Sequence, residues 1–235
     1  MLIAGVLAPA FGCLALAQTV VDPYAAVRPT TASVGVTMPA LKDFQHSWDI
    51  STYILRVTQF GSLAAMNGGV AFVGDSLTDW ARWGEMYPNH RVRNFGIAGD
   101  TTTGLKHRIS QVIAAKPEKV FLLIGTNDVE FGLTPEQIVA NIDSIVADMQ
   151  SGIPGVKIYV QTLLPRQPEF DAKVRAVNTL IKPMADKRGV GFIDLYPLFE
   201  AGGRLDPKIT ADDIHLAGEG YARWRQALRP YLGND

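Results

Sequence analysis

Four short polar segments carry the residue types of nucleophilic acyl chemistry: Gly74-Asp75-Ser76-Leu77-Thr78, Gly96-Ile97-Ala98-Gly99-Asp100, Gly125-Thr126-Asn127-Asp128 and Asp212-Asp213-Ile214-His215. A hydroxyl attacks a carbonyl only when a base takes its proton, a third group holds that base, and donors meet the oxyanion that forms. Ser76 supplies a hydroxyl and His215 is the candidate base. Asp212, three residues earlier, can fold back in a turn and accept the second ring N–H. The backbone N–H groups of Ser76 and Gly99 and the side-chain amide of Asn127 are the candidate oxyanion donors, because glycine admits close approach and an amide donates without a competing charge. Asp213 competes with Asp212 for the imidazole, and turn geometry favours Asp212.

Each residue alone has a plainer reading. Ser76 could cap a helix, Gly99 serve a tight turn, and Asn127 bond loop backbone. What outweighs these readings is where the segments fall. Five apolar runs bounded by turn residues predict strands: Val70–Val73, Val92–Phe95, Val120–Ile124, Lys157–Gln161 and Val190–Ile193. Between them lie helical patterns. One runs from Asp43 to about Met66, with Phe44, Trp48, Ile54, Leu55 and Phe60 on one face. A second begins at a capping box, Thr134-Pro135-Glu136-Gln137, and ends at Gly152. A third passes through Val174, Val177, Leu180, Ile181 and Met184, with a kink expected at Pro183, and a last one carries Tyr221, Trp224 and Leu228. Strands alternating with helices predict an α/β fold, a three-layer αβα sandwich around a parallel sheet. Ligands bind beyond the carboxyl ends of such strands. The first three polar segments follow the first three strands, and the fourth follows the fifth.

Together with Asn94 to Thr102, Leu163-Leu164-Pro165-Arg166, and His215-Leu216 followed by Gly220-Tyr221, these segments resemble the SGNH, or GDSL, hydrolase family from about Val70 to the last helix. The similarity is greatest to the branch with platelet-activating-factor acetylhydrolase catalytic subunits and bacterial carbohydrate acetylesterases. That resemblance implies a flavodoxin-like five-stranded parallel sheet of order 2-1-3-4-5. It also implies a serine ester hydrolase with catalytic residues Ser76, Asp212 and His215, an oxyanion hole of Ser76, Gly99 and Asn127, and no cofactor or metal. The expected substrate is a short acyl ester, such as acetyl on a carbohydrate or other small alcohol. A longer-chain lipase or thioesterase, a sugar acyltransferase, and a non-catalytic glycan-binding module remain open alternatives. The α/β-hydrolase nucleophile elbow is disfavoured, since no Gly-x-Ser-x-Gly occurs.

The bulk properties fit a single domain from 43 to 235. The 235 residues are 47% hydrophobic and 19% charged, with a formal net charge of -1 that argues against nucleic acid or an anionic membrane as partner. Residues 1–17 read as a signal peptide, although no Lys or Arg precedes the apolar core, so export to the periplasm or medium is expected and no stable membrane anchor. Residues 18–42, with Pro23, Pro29 and Pro39, form an extended lead-in. Cleavage after Ala17 removes Cys13, the only thiol. His46, His90 and His107 have no partners at metal-ligand spacing. Trp80, Trp83 and Tyr87 could form a sugar-stacking wall or a core stripe, and Asp128 and Arg166 could touch substrate or bridge loops. The oligomeric state is not legible.

Overall fold

Five strands, β1 (Val70–Gly74), β2 (Val92–Gly96), β3 (Lys119–Leu123), β4 (Lys157–Gln161) and β5 (Gly191–Ile193), pair in parallel in the order β2-β1-β3-β4-β5. A computed structural model describes residues 47–233, and the side chains from residue 50 onward. The expected signal peptide, the lead-in, Cys13, Phe44 and His46 lie outside the described residues. Gly74 is in register with both Gly96 and Leu123, so the first three strands end level with one another. The three polar segments that follow them therefore emerge side by side.

Period-two alternation sorts the strand side chains onto two faces. Ala71, Val73, Val120, Leu122, Ile158 and Val160 pack into one cluster with residues of α1 (Ser47–Ser62), α4 (Thr102–Ala115), α6 (Pro135–Gly152) and α7 (Asp171–Arg188). Val70, Phe72, Phe121 and Leu123 face the other way, against Trp83 of α3 (Trp83–Met86) and Trp224 and Leu228 of α9 (Gly218–Leu232). The chain is a three-layer αβα sandwich. The short helices α2 (Ser76–Asp79), α5 (Thr126–Glu130) and α8 (Tyr196–Phe199) follow β1, β3 and β5.

The capping box forms at the head of α6, with Gln137 N donating to Thr134 Oγ1 and Thr134 N to Gln137 Oε1. The helix α7 continues through Pro183 to Arg188. Two readings need correction. Helix α1 ends at Ser62 rather than near Met66, and it buries Ile50, Tyr53, Ile54, Val57 and Phe60 while Leu55 faces solvent. No element is predicted over 102–115, where the structure has α4, started by Thr101, whose hydroxyl accepts from Gly104 N.

Candidate active site

The site is built outward from the end of β1. Asp75 caps α2, its Oδ1 accepting from Leu77 N at 3.0 Å, and Ser76 is the first helical residue, buried at 4% exposure. Helix α2 lies hard against the end of β2. A Cβ on Gly96 would stand 2.2 Å from the backbone nitrogen of Asp79, so only glycine permits the contact. Asn94 Nδ2 donates to the carbonyls of Thr78 and Asp79, both at 2.9 Å, and Tyr221 Oη donates to Leu77 O at 3.0 Å. Sheet and last helix together fix where the Ser76 hydroxyl points.

That hydroxyl is 2.9 Å from His215 Nε2, and His215 Nδ1 is 2.7 Å from Asp212 Oδ2. Asp212 Oδ1 accepts from the backbone N–H of His215 at 2.8 Å and of Ile214 at 3.1 Å, closing the expected turn. A bridge between Thr210 and Leu216 holds the base of the loop. Partial burial pushes the Asp212 carboxyl upward, but the hydrogen bonds from His215 and Ile214 outweigh it and hold the group down at about 2. Asp212 is an anion at any ordinary pH, able to keep a proton on Nδ1 and leave Nε2 to accept. Asp213 turns away with a left-handed φ of 60° and pairs with Arg204. Of the two carboxylates, Asp212 is the one hydrogen-bonded to the imidazole.

Gly99 has φ 79°, a conformation that favours glycine, and its loop is pinned where Ala98 N donates to Asp79 Oδ2 at 3.1 Å. Arg56 holds the other oxygen of Asp79 at 2.6 Å. Asn127, in the first turn of α5, spends one amide hydrogen on Asp100 O at 2.7 Å, which leaves the second for a ligand. The structure brings Ser76, His215 and Asp212 into one hydrogen-bonded line, with Asn127 tied to the Gly99-Asp100 loop.

A residue absent from the sequence reading organises these loops. Arg108 of α4, wholly buried, donates to Asp100 Oδ2 at 2.8 Å, to Phe95 O at 2.8 Å and to Gly74 O at 3.1 Å. One guanidinium thus joins the ends of β1 and β2 to Asp100, whose carbonyl holds Asn127. Asp128 accepts from the backbone and hydroxyl of Thr102, which binds it to the head of α4. Arg166 donates to Thr126 O and Glu130 Oε2, both at 2.7 Å. Both Asp128 and Arg166 bridge loops.

A hydroxyl, an imidazole and a carboxylate so aligned form the relay of a serine hydrolase. The model of the GDSL-like Lipase/Acylhydrolase family matches residues 62–223. The chain belongs to this family. Platelet-activating factor acetylhydrolase IB subunit alpha2 of Rattus norvegicus is 32% identical over 165 residues, which are 66% of this chain and 71% of the relative. Subunit alpha1 of Bos taurus is 30% identical over 174 residues, 69% of this chain and 74% of the relative. Among solved structures, a platelet activating factor from Streptococcus pneumonia superposes with a TM-score of 0.70 at 23% identity, covering 79% of this chain and 95% of that one. A mutant acetyl-xylooligosaccharide esterase from Geobacillus Stearmophilus has a TM-score of 0.61 at 22% identity, covering 73% and 96%. These two share the fold.

In this GDSL-family carboxylic ester hydrolase the aromatic stripe divides. Trp83 and Tyr87 are core residues stacked about Phe72, with Trp83 at 3.8 Å between ring centroids. Trp80 is 52% exposed, and its ring centroid lies 4.1 Å from that of His215. His90 and His107 are half-buried. Among the described residues no helix is long and apolar enough to cross a membrane.

Asp75 gives the hydrolase a distinctive pH response. The carboxyl is fully buried, and Oδ2 has no hydrogen-bond partner among the described residues. Burial is the largest influence and outweighs the hydrogen bond from Leu77 N–H; the charges of Asp100 and Asp128 add to it against Arg166, and the group is pushed from 3.8 up to about 7. Between those values the folded chain holds a proton that the unfolded chain has released, so this group's stabilising contribution falls as pH rises from about 4 to 7. Asp75→Asn removes that dependence. Its stability relative to the parent should rise by roughly 1–4 kcal/mol between pH 4.5 and pH 8, measured by urea unfolding. A difference that stays flat with pH would mean that Asp75 does not titrate in this way.

Proposed function

We propose that Ser76 is the nucleophile, His215 the general base and acid, and Asp212 the residue that orients it, in an esterase acting on short acyl groups such as acetyl on a carbohydrate or other small alcohol. The observation that carries the reading is the line Ser76 Oγ, His215 Nε2, Nδ1, Asp212 Oδ2, at 2.9 and 2.7 Å. As Oγ bonds to the ester carbon, its proton passes to Nε2 and the carbonyl electron pair moves onto oxygen. The backbone N–H groups of Ser76 and Gly99 and the free amide hydrogen of Asn127 receive that oxyanion. Its collapse breaks the bond to the alcohol, which leaves with the proton from Nε2. Water, deprotonated by the same nitrogen, then releases the acid and restores Ser76.

The names of the 30–32% identical relatives, acetylhydrolase subunits, favour a two-carbon acyl group. A series of p-nitrophenyl esters from acetate to octanoate tests this, with and without an added polyol. The expected order has acetate highest in kcat/KM, falling at least tenfold by octanoate. A maximum at octanoate makes the protein a longer-chain lipase, and transfer of acetyl to the polyol in preference to water makes it an acyltransferase. A fluorophosphonate probe that fails to label Ser76 defeats the covalent mechanism.

A further inference from the structure

The exposed Trp80 is an anomaly on a surface helix end. Its neighbours Leu77, Trp83 and Tyr87 are buried, while about half of Trp80 meets solvent. Trp80 sits four residues after Ser76, and its backbone N–H donates to Ser76 O at 3.0 Å. One helical turn therefore places it on the side of α2 that carries the hydroxyl. From there the indole overlies His215 at 4.1 Å between centroids, tilted by 32°.

The reaction proposed above fixes where the leaving alcohol must be. Its oxygen takes the proton from His215 Nε2, so it comes within about 3 Å of that atom. Two of the three proposed oxyanion donors lie on other loops: Gly99, whose loop is tied to α2 through Asp79, and Asn127, tied to Asp100. Whatever is attached to the leaving oxygen is thus beside the imidazole, and the indole covers that imidazole. An indole face is a flat apolar surface that favours a ring-shaped apolar partner, including the C–H face of a pyranose.

We propose that Trp80 is the platform for the alcohol half of the ester, and that it selects alcohols with a six-membered ring, such as pyranosides, over small acyclic ones. The inference rests on the catalytic reading above. The test compares methyl acetate with phenyl acetate and an acetylated methyl pyranoside, in the parent and in Trp80→Ala, Trp80→Leu and Trp80→Phe. In Trp80→Ala the preference for the two ring alcohols over methyl acetate should shrink by roughly 10- to 100-fold, mainly through KM. Trp80→Phe should keep most of the preference and Trp80→Leu little of it, and the leucine protein gives the same comparison if the alanine protein fails to fold. The order of acyl lengths among nitrophenyl esters should persist.

An equal loss on all three acetates overturns the proposal, because Trp80 would then act only by positioning His215. A change in acyl-length order with the alcohol preference intact also overturns it, by placing the indole beside the acyl group. Fluorophosphonate labelling of Ser76 in the parent separates the two levels. Labelling with an unchanged alcohol preference defeats only the role of Trp80, whereas loss of labelling defeats the mechanism beneath it.

Discussion

Ser76→Ala should lower kcat/KM for p-nitrophenyl acetate by roughly 10³- to 10⁶-fold and abolish fluorophosphonate labelling, while leaving the fold in place. The catalytic loss is large because, in the proposed reaction, the hydroxyl oxygen bonds to the ester carbon. The structural loss is small because its hydrogen-bond partner is His215 Nε2, in a part-buried contact. One such bond is worth about 1 kcal/mol, and alanine fills nearly the same space. A melting temperature within about 4 °C of the parent, with near-parental KM for residual turnover, is the expected pattern. A variant that keeps a tenth of the activity removes Ser76 from the chemistry.

Asp212→Asn carries the second-largest expected effect, a fall in kcat/KM of roughly 10²- to 10⁴-fold at pH 7. The carboxylate accepts from the imidazole through Oδ2 and from two backbone N–H groups through Oδ1, so the turn survives only with the amide oxygen in the Oδ1 place and the NH₂ facing Nδ1. What changes is the sign of the contact. If the amide NH₂ faces Nδ1, the imidazole must keep its proton on Nε2, where it cannot accept from Ser76; if the amide oxygen faces Nδ1, the anion that stabilises imidazolium is still lost. The Asp212 side chain is half exposed, so water partly replaces the lost charge and the lower end of the range is favoured. Asp213→Asn provides the contrast, since Asp213 pairs with Arg204 and does not reach the imidazole. Its activity should stay within about threefold of the parent, and reversed effects at 212 and 213 would assign the orienting role to the other carboxylate.

The candidate catalytic residues were legible because acyl chemistry demands particular side chains at strand ends, and strand ends are marked by short apolar runs. Asp212 and His215 are even local to one another. The network behind them was not legible. Arg108 follows Lys106 and His107, and a run of basic residues reads as a solvated face. Helical phase alone distinguishes it: Arg108 lies with Leu105, Ile109 and Val112 on the buried side of α4, while Lys106 faces solvent. That signal was obscured because Thr101-Thr102-Thr103-Gly104 is a weak helix-forming start, rescued by the Thr101 cap and by the Asp128 carboxylate at the helix head. Its partners Gly74 and Phe95 lie 34 and 13 positions away, at distances no local pattern records. Leu55 failed for the opposite reason: an apolar residue on the wrong phase of α1 was counted with the core face.

Ser76 and His215 are 139 positions apart. At a synthesis rate of about 5–20 residues per second, the growing chain carries the serine for roughly 7–28 s before the histidine has been added. Throughout that interval Ser76 is an ordinary alcohol. The contact with His215 needs the loop before α9, the helix that packs Trp224 against the sheet and bonds Tyr221 to α2. The order in which the polypeptide is made thus delays the hydrolase from acting on esters until its last layer has closed.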